Sequence, residues 1–288
     1  MLQLPGDGTL KAALRWLQAL RTEDVPRVRA LFTHHDEYAD LTPDQYAQGL
    51  LWLHQVGMAA LPRQSVPASS LESQALGHLL LAKSLELARP EWATDTGLPA
   101  EGLGDLPAAA IPVAESLGLS HSEAAAVVAQ IRLEERARVG AAGEAALLAL
   151  LRANLNADVT HVSAISDRFG YDISVTGPSG GEAHIEVKTT TSATSRVFFL
   201  SRHEYETMRR DPAWTLAVVV LGQDNRAASV STASRAWIAD AVPADREAGT
   251  RWESARLTIP PGAAETGIPA VRPWLSPGCE VELSAPVG

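Results

Sequence analysis

The sequence predicts an α+β protein, with an all-helical N-terminal region over residues 1–135 followed by an α/β domain over residues 136–288. Helical spacing of apolar residues persists to about residue 135, and after Gly140 the pattern becomes mixed, with a helix signal followed by strand signals. A chain of 288 residues also has a length usual for two domains. The content of 46% hydrophobic and 20% charged residues is ordinary for a folded protein and excludes global disorder.

Composition excludes several functional classes. The chain has no apolar run approaching about 18 residues and no signal-peptide pattern at its start, so we expect a soluble, cytoplasmic protein without a membrane partner. Cys279 is the single cysteine, which excludes a disulfide framework and a cysteine-based zinc site. The net charge is -10, and most of it belongs to the N-terminal half. A basic groove in the nearly neutral C-terminal half is therefore compatible with the composition.

The N-terminal half shows helix signals throughout. Apolar spacing and N-cap residues predict helices near residues 10–20, 42–56, 71–89 and 120–138, and residues 90–112 read as a surface linker with little regular structure. The helix lengths are compatible with a helix-turn-helix or winged-helix module. Because the acidic charge disfavours duplex binding, we predict a protein-interaction or oligomerisation role for this half.

The C-terminal half mixes helix and strand signals. We predict a helix over residues 141–154 and another over 201–210, which begins at a capping box of Ser201 and Glu204 with no role in the active site. Beyond Trp237 we expect a last strand or two with irregular packing. Strands are predicted near residues 159–165, 170–176, 182–190, 196–200 and 214–221.

The stretch from Gly170 to Thr191 carries the most information, because its two strands and turn determine one register. A loop of Gly, Pro and Ser residues is centred on Ser179. Folding the strands about this centre pairs apolar residues on one face: Tyr171 with Val187, Ile173 with Ile185, and Val175 with Ala183.

On the polar face of this hairpin, Asp172 is opposite Glu186. Like charges at that position repel, unless a hard divalent cation such as Mg²⁺ binds between them. Lys188 lies on the same face and could polarise a water or neutralise a phosphate. Only three of the 24 basic residues are lysine, so a lysine inside a strand needs a reason. The alternative interpretation is an amphipathic hairpin with a solvated outer face.

The residues resemble two related families. Asp172 and Glu186-Val187-Lys188 match the PD-(D/E)xK nucleases, although Tyr171 stands where that pattern has proline. Residues 136–235 are more closely similar to the C-terminal domain named after the plant protein NO VEIN, which also occurs in prokaryotic proteins beside helicases or restriction factors. Four motifs carry this resemblance in order: Gly143-Glu144, Gly170-Tyr171-Asp172-Ile173, Ile185-Glu186-Val187-Lys188-Thr189-Thr190, and Phe198-Phe199-Leu200-Ser201 with Glu204.

The resemblance implies a restriction-endonuclease-like α-β-β-β-α-β core with a mixed central sheet and a site for Mg²⁺ (or Mn²⁺). Asp172, Glu186 and the Val187 carbonyl would hold the ion. Lys188 would assist the attacking water, and Glu144 would complete the coordination or bind a second ion. Hydrolysis would leave a 5′-phosphate.

Further residues could contact nucleic acid. Arg168, Arg196 and His184 lie near the predicted cleft, where they could bind phosphates. Solvated surface charge is an equally good interpretation of the arginines, and a plain polar role is the more common one for a strand histidine.

Two functions follow from these residues. The first is a Mg²⁺-dependent endonuclease, most suited to DNA, acting in antiviral defence or restriction, for which a homodimer would suit paired cuts on a duplex. The second is a non-catalytic adaptor that senses nucleic acid and binds a partner protein through its acidic helical half. The residues leave open whether the nucleic acid is DNA or RNA, and whether it is single- or double-stranded.

Overall fold

The computed structural model describes residues 3–59, 69–94, 106–192, 196–245 and 251–277. Backbone contacts divide the chain into two compact units, Met1–Glu135 and Arg136–Gly288. Within the described ranges, no helix combines the length and apolar character needed to cross a membrane.

The described residues of the first unit form helices and turns without a strand, as predicted. A core of fully buried side chains, among them Leu10, Trp16, Leu53 and Leu80, holds it together. Its helices are α1 (Asp7–Ala19), α2 (Val25–His34), α3 (Pro43–Gln55), α4 (Ser70–Ala88), α5 (Glu91–Thr94), α6 (Ile111–Ser116) and the first part of α7 (His121–Asn154).

The prediction of a surface linker over residues 90–112 is wrong for its described part. It contains α5 and a 3₁₀ turn at Ala108–Ala110, and it leads directly into α6. Ala93, Leu106 and Ala110 are buried in the core of the first unit. The Pro and Gly content therefore marks helix boundaries here, while the apolar residues between them pack inward. Residues 95–105 lie outside the described part of the chain.

The predicted break near Gly140 is also wrong, because α7 runs without interruption from His121 to Asn154. A single glycine costs a helix only about 1 kcal/mol relative to alanine, and the flanking residues are rich in alanine and leucine. Gly143 has a packing role, since a Cβ there would overlap the Cβ and Oγ1 of Thr189. Gly140 has no such neighbour within 4 Å.

Alanine at these two glycines should have opposite effects on stability. Gly140→Ala should stabilise the protein by up to about 1 kcal/mol through helix propensity. Gly143→Ala should destabilise it by about 1–3 kcal/mol, because a changed Thr189 rotamer cannot remove an overlap that involves Cβ. Urea unfolding of both variants tests this. Equal effects of the two substitutions would contradict the packing role of Gly143.

The second unit is built on a six-stranded mixed sheet in the order β1-β2-β3-β5-β6-β8, in which β3 and β5 are parallel and the other pairs antiparallel. A separate antiparallel pair consists of β4 and β7. The strands are β1 (Asp158–His161), β2 (Ile173–Thr176), β3 (Glu182–Thr190), β4 (Val197–Ser201), β5 (Trp214–Leu221), β6 (Ala227–Ala233), β7 (Ser254–Thr258) and β8 (Ala264–Thr266), with helices α8 (Arg202–Arg210) and α9 (Arg235–Ala241).

This architecture confirms the predicted α+β fold class. The order α7, β1, β2, β3, α8, β5 is the α-β-β-β-α-β sequence expected above, with β4 placed outside the main sheet. The predicted hairpin register is confirmed, since Ile173 pairs with Ile185 and Val175 with Ala183. Strand β6 was not predicted, because its small and polar residues give a weak strand signal.

Both faces of β3 are covered. Ile185 and Val187 face a core that includes Leu147 and Leu151 of α7. The opposite face packs against a second core of buried residues, which contains Phe198, Leu200, Met208, Leu216 and Val218. Glu186 is only 4% exposed, which excludes the interpretation of a solvated outer face at this position.

Candidate functional site

Asp172 lies where β2 begins and β3 continues past it. The Asp172 Oδ2 atom accepts a hydrogen bond of 2.7 Å from the Val187 N–H, and the Asp172 N–H donates to the Ile185 carbonyl. Residue 187 therefore presents its N–H toward the β2 side, and in a strand the carbonyl of the same residue points to that side too. The Asp172 carboxylate and the Val187 carbonyl thus lie together at the end of β2.

Tyr171 departs from the predicted apolar face. Its ring stacks on His184, which belongs to the opposite face of β3, because β2 starts only at Ile173 and the chain turns at Gly170 with a φ of 71°. Regular alternation therefore does not extend back to residues 171 and 172. The Asp172 side chain bonds the edge of β3 instead of standing perpendicular to the sheet.

Lys188 lies between two buried carboxylates. Its Nζ atom is 2.7 Å from Oε1 of Glu186 and 3.0 Å from Oε2 of Glu204. The three side chains are 17%, 6% and 20% exposed, respectively. Such an ion pair is only weakly screened by solvent.

Glu204 is the site residue that sequence reasoning missed. The predicted capping box with Ser201 is present, but the same carboxylate also binds Lys188, so the prediction of a cap without any site role is wrong. A signal existed in the sequence. Glu204 lies one turn before Met208, which is buried, so the helical spacing directs Glu204 toward the interior.

The charges of the cluster act on one another strongly. Burial raises the pKa of Asp172 to about 6. The hydrogen bond from the Val187 N–H lowers this pKa, and the negative charge of Glu144 raises it. Burial also raises the pKa of Glu186 well above its usual range. Burial opposes the charge of Lys188, but Glu186 and Glu204 outweigh it and raise the pKa of the ammonium. The site therefore holds a protonated lysine and an excess of carboxylates.

Glu144 of α7 stands close to this cluster and has partners of its own. Its Oε2 atom is 2.8 Å from Nε2 of His161 and accepts a hydrogen bond of 2.9 Å from the Ser163 hydroxyl. The Asp172 carbonyl accepts from the Ser163 and Val162 N–H groups, which joins the two sides of the site. Glu144 is thus close enough for its charge to raise the pKa of Asp172.

The predicted nucleic-acid contacts are more dispersed. His184 is engaged by Asp211, with 2.5 Å between Nδ1 and Oδ2. Arg168 lies exposed in the 3₁₀ turn Asp167–Phe169, and Arg196 is half-buried just before β4. Across the described ranges, neither guanidinium contacts the carboxylates of the cluster.

The donor set suits a hard divalent cation. Asp172, Glu186 and the Val187 carbonyl supply oxygen ligands, and Mg²⁺ commonly takes one or two carboxylates while waters and phosphate complete its shell. The described residues contain no group of three or more His, Cys, Asp or Glu side chains arranged to hold a metal ion. A closed all-protein cage is therefore absent from this part of the chain, and water or substrate would have to complete the coordination of an ion held by these oxygens.

Arg235 holds the end of α8 and the start of β5 in place. Its guanidinium donates to the carbonyls of Asp211 at 2.9 Å and Trp214 at 2.8 Å, and also to those of Met208 and Pro212. Lysine lacks the planar fork that reaches these oxygens together.

Arg235→Lys should therefore lower the free energy of unfolding by about 2–3 kcal/mol. Urea unfolding measures the loss. Arg210→Lys serves as the control, because that side chain is 80% exposed and its exchange should change stability by less than about 0.5 kcal/mol. A loss no larger than that of the control would contradict the role of Arg235.

Comparison with known proteins is consistent with this arrangement. The comparison with curated proteins returned no match, and neither did the comparison with solved structures. The family model described as Protein NO VEIN, C-terminal matches residues 143–231, a span that contains the whole cluster from Glu144 to Glu204. Residues 143–231 of this chain are therefore similar to the NO VEIN C-terminal family.

Proposed function

We propose that this domain is a divalent-metal-dependent nuclease that hydrolyses phosphodiester bonds, most suitably in DNA. The observation that carries the proposal is the buried Glu186 carboxylate paired with the Lys188 ammonium, with the half-buried Asp172 carboxylate bonded to the N–H of the intervening Val187. A surface charge cluster would not require a carboxylate as buried as that of Glu186, whose burial is costly without a function or a good partner. The role in prokaryotic defence against foreign genetic elements is supported by the motif resemblance alone.

The residues of the chain have separable tasks. Lys188 keeps its proton, because Glu186 and Glu204 raise its pKa, so it acts as a donor to phosphate oxygen or to the attacking water. Glu204 is a positioning residue that holds this ammonium. The Val187 N–H orients the Asp172 carboxylate. Mg²⁺ held by Asp172, Glu186 and the Val187 carbonyl would supply Lewis-acid activation of water and charge neutralisation at the phosphate.

The test incubates the purified full chain with plasmid and with single-stranded DNA in Mg²⁺, Mn²⁺ or EDTA, and melts the protein under the same conditions. We expect cleavage that requires the metal, and a rise in Tm because the metal binds the folded state. Glu265→Gln is the matched control, since this carboxylate on β8 is 59% exposed and should be dispensable. Cleavage in EDTA, or neither cleavage nor a change in Tm with metal, would contradict the proposal.

One observation favours a second candidate, a non-catalytic subunit that senses nucleic acid or binds a partner protein. Lys188 already pairs with both Glu186 and Glu204, so part of the carboxylate charge is neutralised within the protein. Nucleic-acid binding without cleavage, together with a Tm that does not respond to Mg²⁺ or Mn²⁺, would favour this candidate.

A further inference from the structure

A row of three rings runs beside the candidate site. The ring centroids of Phe169 and Tyr171 are 5.9 Å apart, and Tyr171 stacks on His184 at 4.3 Å with the planes 8° apart. His184 lies on the same face of β3 as Glu186, and Tyr171 directly precedes Asp172. The row therefore leads to the carboxylates of the site.

Phe169 forms the outer end of the row and is 43% exposed. Hydrogen bonds hold the backbone of the residues immediately before and after Phe169. The Arg168 carbonyl is 3.2 Å from Nε2 of His203, and the Gly170 carbonyl accepts a bond of 3.0 Å from the indole N–H of Trp214. The exposed ring is thus held at a defined place by a fastened segment, which favours a preformed contact surface.

The two ends of the row differ in the charge of the residues around them. At the inner end, His184 contacts Asp211, and Glu182 is 3.7 Å from its Nε2 atom. These carboxylates repel phosphate. At the outer end, Arg168 is exposed, and its guanidinium forms no ion pair within the described residues. A bound polyanion would therefore place its phosphates near Arg168 and its apolar groups over the rings.

We propose that Phe169 and Tyr171 form a stacking platform for the bases of a single-stranded nucleic acid. This inference rests on the proposed nuclease function and names the substrate class of the same site. Aromatic rings bind unpaired bases through their faces with little dependence on sequence. A duplex keeps its bases stacked internally, so it would have to unstack before the rings could be used.

The test measures fluorescence anisotropy of a labelled oligothymidylate with the full chain in EDTA, where metal-dependent cleavage does not interfere. Phe169→Ala should weaken binding by about 5-fold to 150-fold, the range that follows from losing one stacked base. Phe169→Trp should retain binding. Ile165→Ala is the matched control, since Ile165 is 71% exposed in the same segment and should not matter. An abasic oligomer of equal length should bind more weakly and should not respond to Phe169→Ala.

Several outcomes would overturn the platform. These are equal losses with the thymidylate and abasic strands, an effect of Ile165→Ala as large as that of Phe169→Ala, or wild-type binding of duplex as tight as that of single strand. The nuclease proposal fails separately. Base-dependent binding without cleavage in any metal would contradict the nuclease proposal and support the platform. Metal-dependent cleavage with unchanged binding by Phe169→Ala would contradict the platform and support the nuclease proposal.

Discussion

Replacing Asp172 with asparagine should abolish metal-dependent cleavage, with a loss of about 1000-fold or more. The substitution removes a carboxylate charge from the set that would hold Mg²⁺. The amide oxygen can still accept the hydrogen bond from the Val187 N–H, so the end of β2 should keep its geometry. The measurement is the initial rate of cleavage in Mg²⁺ and Mn²⁺, with unfolding in urea as the check of the fold.

The change in Tm on adding metal provides a second measurement on the same variant. If Asp172 is a ligand, the rise in Tm with Mg²⁺ should shrink or disappear in Asp172→Asn. Glu265→Gln should retain both activity and metal response, because its carboxylate is exposed and lies on β8, three strands away from β3. Cleavage by Asp172→Asn at the rate of the wild type would contradict the role of Asp172 as a metal ligand.

Replacing Lys188 with methionine should lower the free energy of unfolding at neutral pH by about 3–5 kcal/mol. Methionine fills similar space but leaves Glu186 and Glu204 buried without their shared cation. Urea unfolding followed by tryptophan fluorescence measures the loss. Lys83→Met is the matched control, since its pair with Glu86 on α4 has side chains 30% and 62% exposed and should contribute less than about 1 kcal/mol.

The deficit of Lys188→Met should depend on pH with a definite sign. Burial raises the pKa of Glu186, and the Lys188 ammonium lowers it. The variant lacks this ammonium, so the pKa of Glu186 should rise further. The folded variant then binds a proton that the unfolded chain releases above about pH 4.3, so its stability increases as the pH falls. The difference from the wild type should be smaller at about pH 5 than at about pH 8. An equal deficit at both values would contradict the electrostatic origin.

A double variant separates charge from packing. Adding Glu204→Gln to Lys188→Met removes one of the two uncompensated carboxylates while keeping the shape of the side chain. Part of the lost stability should return. No recovery would indicate that Lys188 stabilises the site through its aliphatic stem.

The hairpin shows how much of the site local sequence can specify. The bounds of β3 and the pairing of β2 with β3 were predicted correctly, because a glycine-rich loop and regular alternation leave one consistent register. The proximity of Glu186 and Lys188 follows from the alternation along β3, whereas Asp172 reaches β3 through its bond to the Val187 N–H, outside the regular alternation. Glu144 entered only through the family resemblance, since its position depends on how α7 packs against the sheet.

Other features depend on tertiary packing and were missed. The capping box explained Glu204 locally, and nothing in that local pattern indicated that Lys188 would contact the same carboxylate. The continuity of α7 through Gly140 likewise depended on propensity and on the close contact between Gly143 and Thr189. Tyr171 changed faces because β2 starts two residues later than regular alternation assumes.

The parallel pairing of β3 with β5 has a consequence for a chain that is still being synthesised. Residues 184 to 190 pair with residues 214 to 220, so β3 acquires this neighbour only after α8 and most of β5 have left the ribosome. Such non-local pairing forms late, because closing the intervening loop must precede the gain from the contacts. A nascent chain ending before Trp214 therefore carries every carboxylate of the cluster without the strand that supports them, and a cleaving site would mature only after β5 has been synthesised.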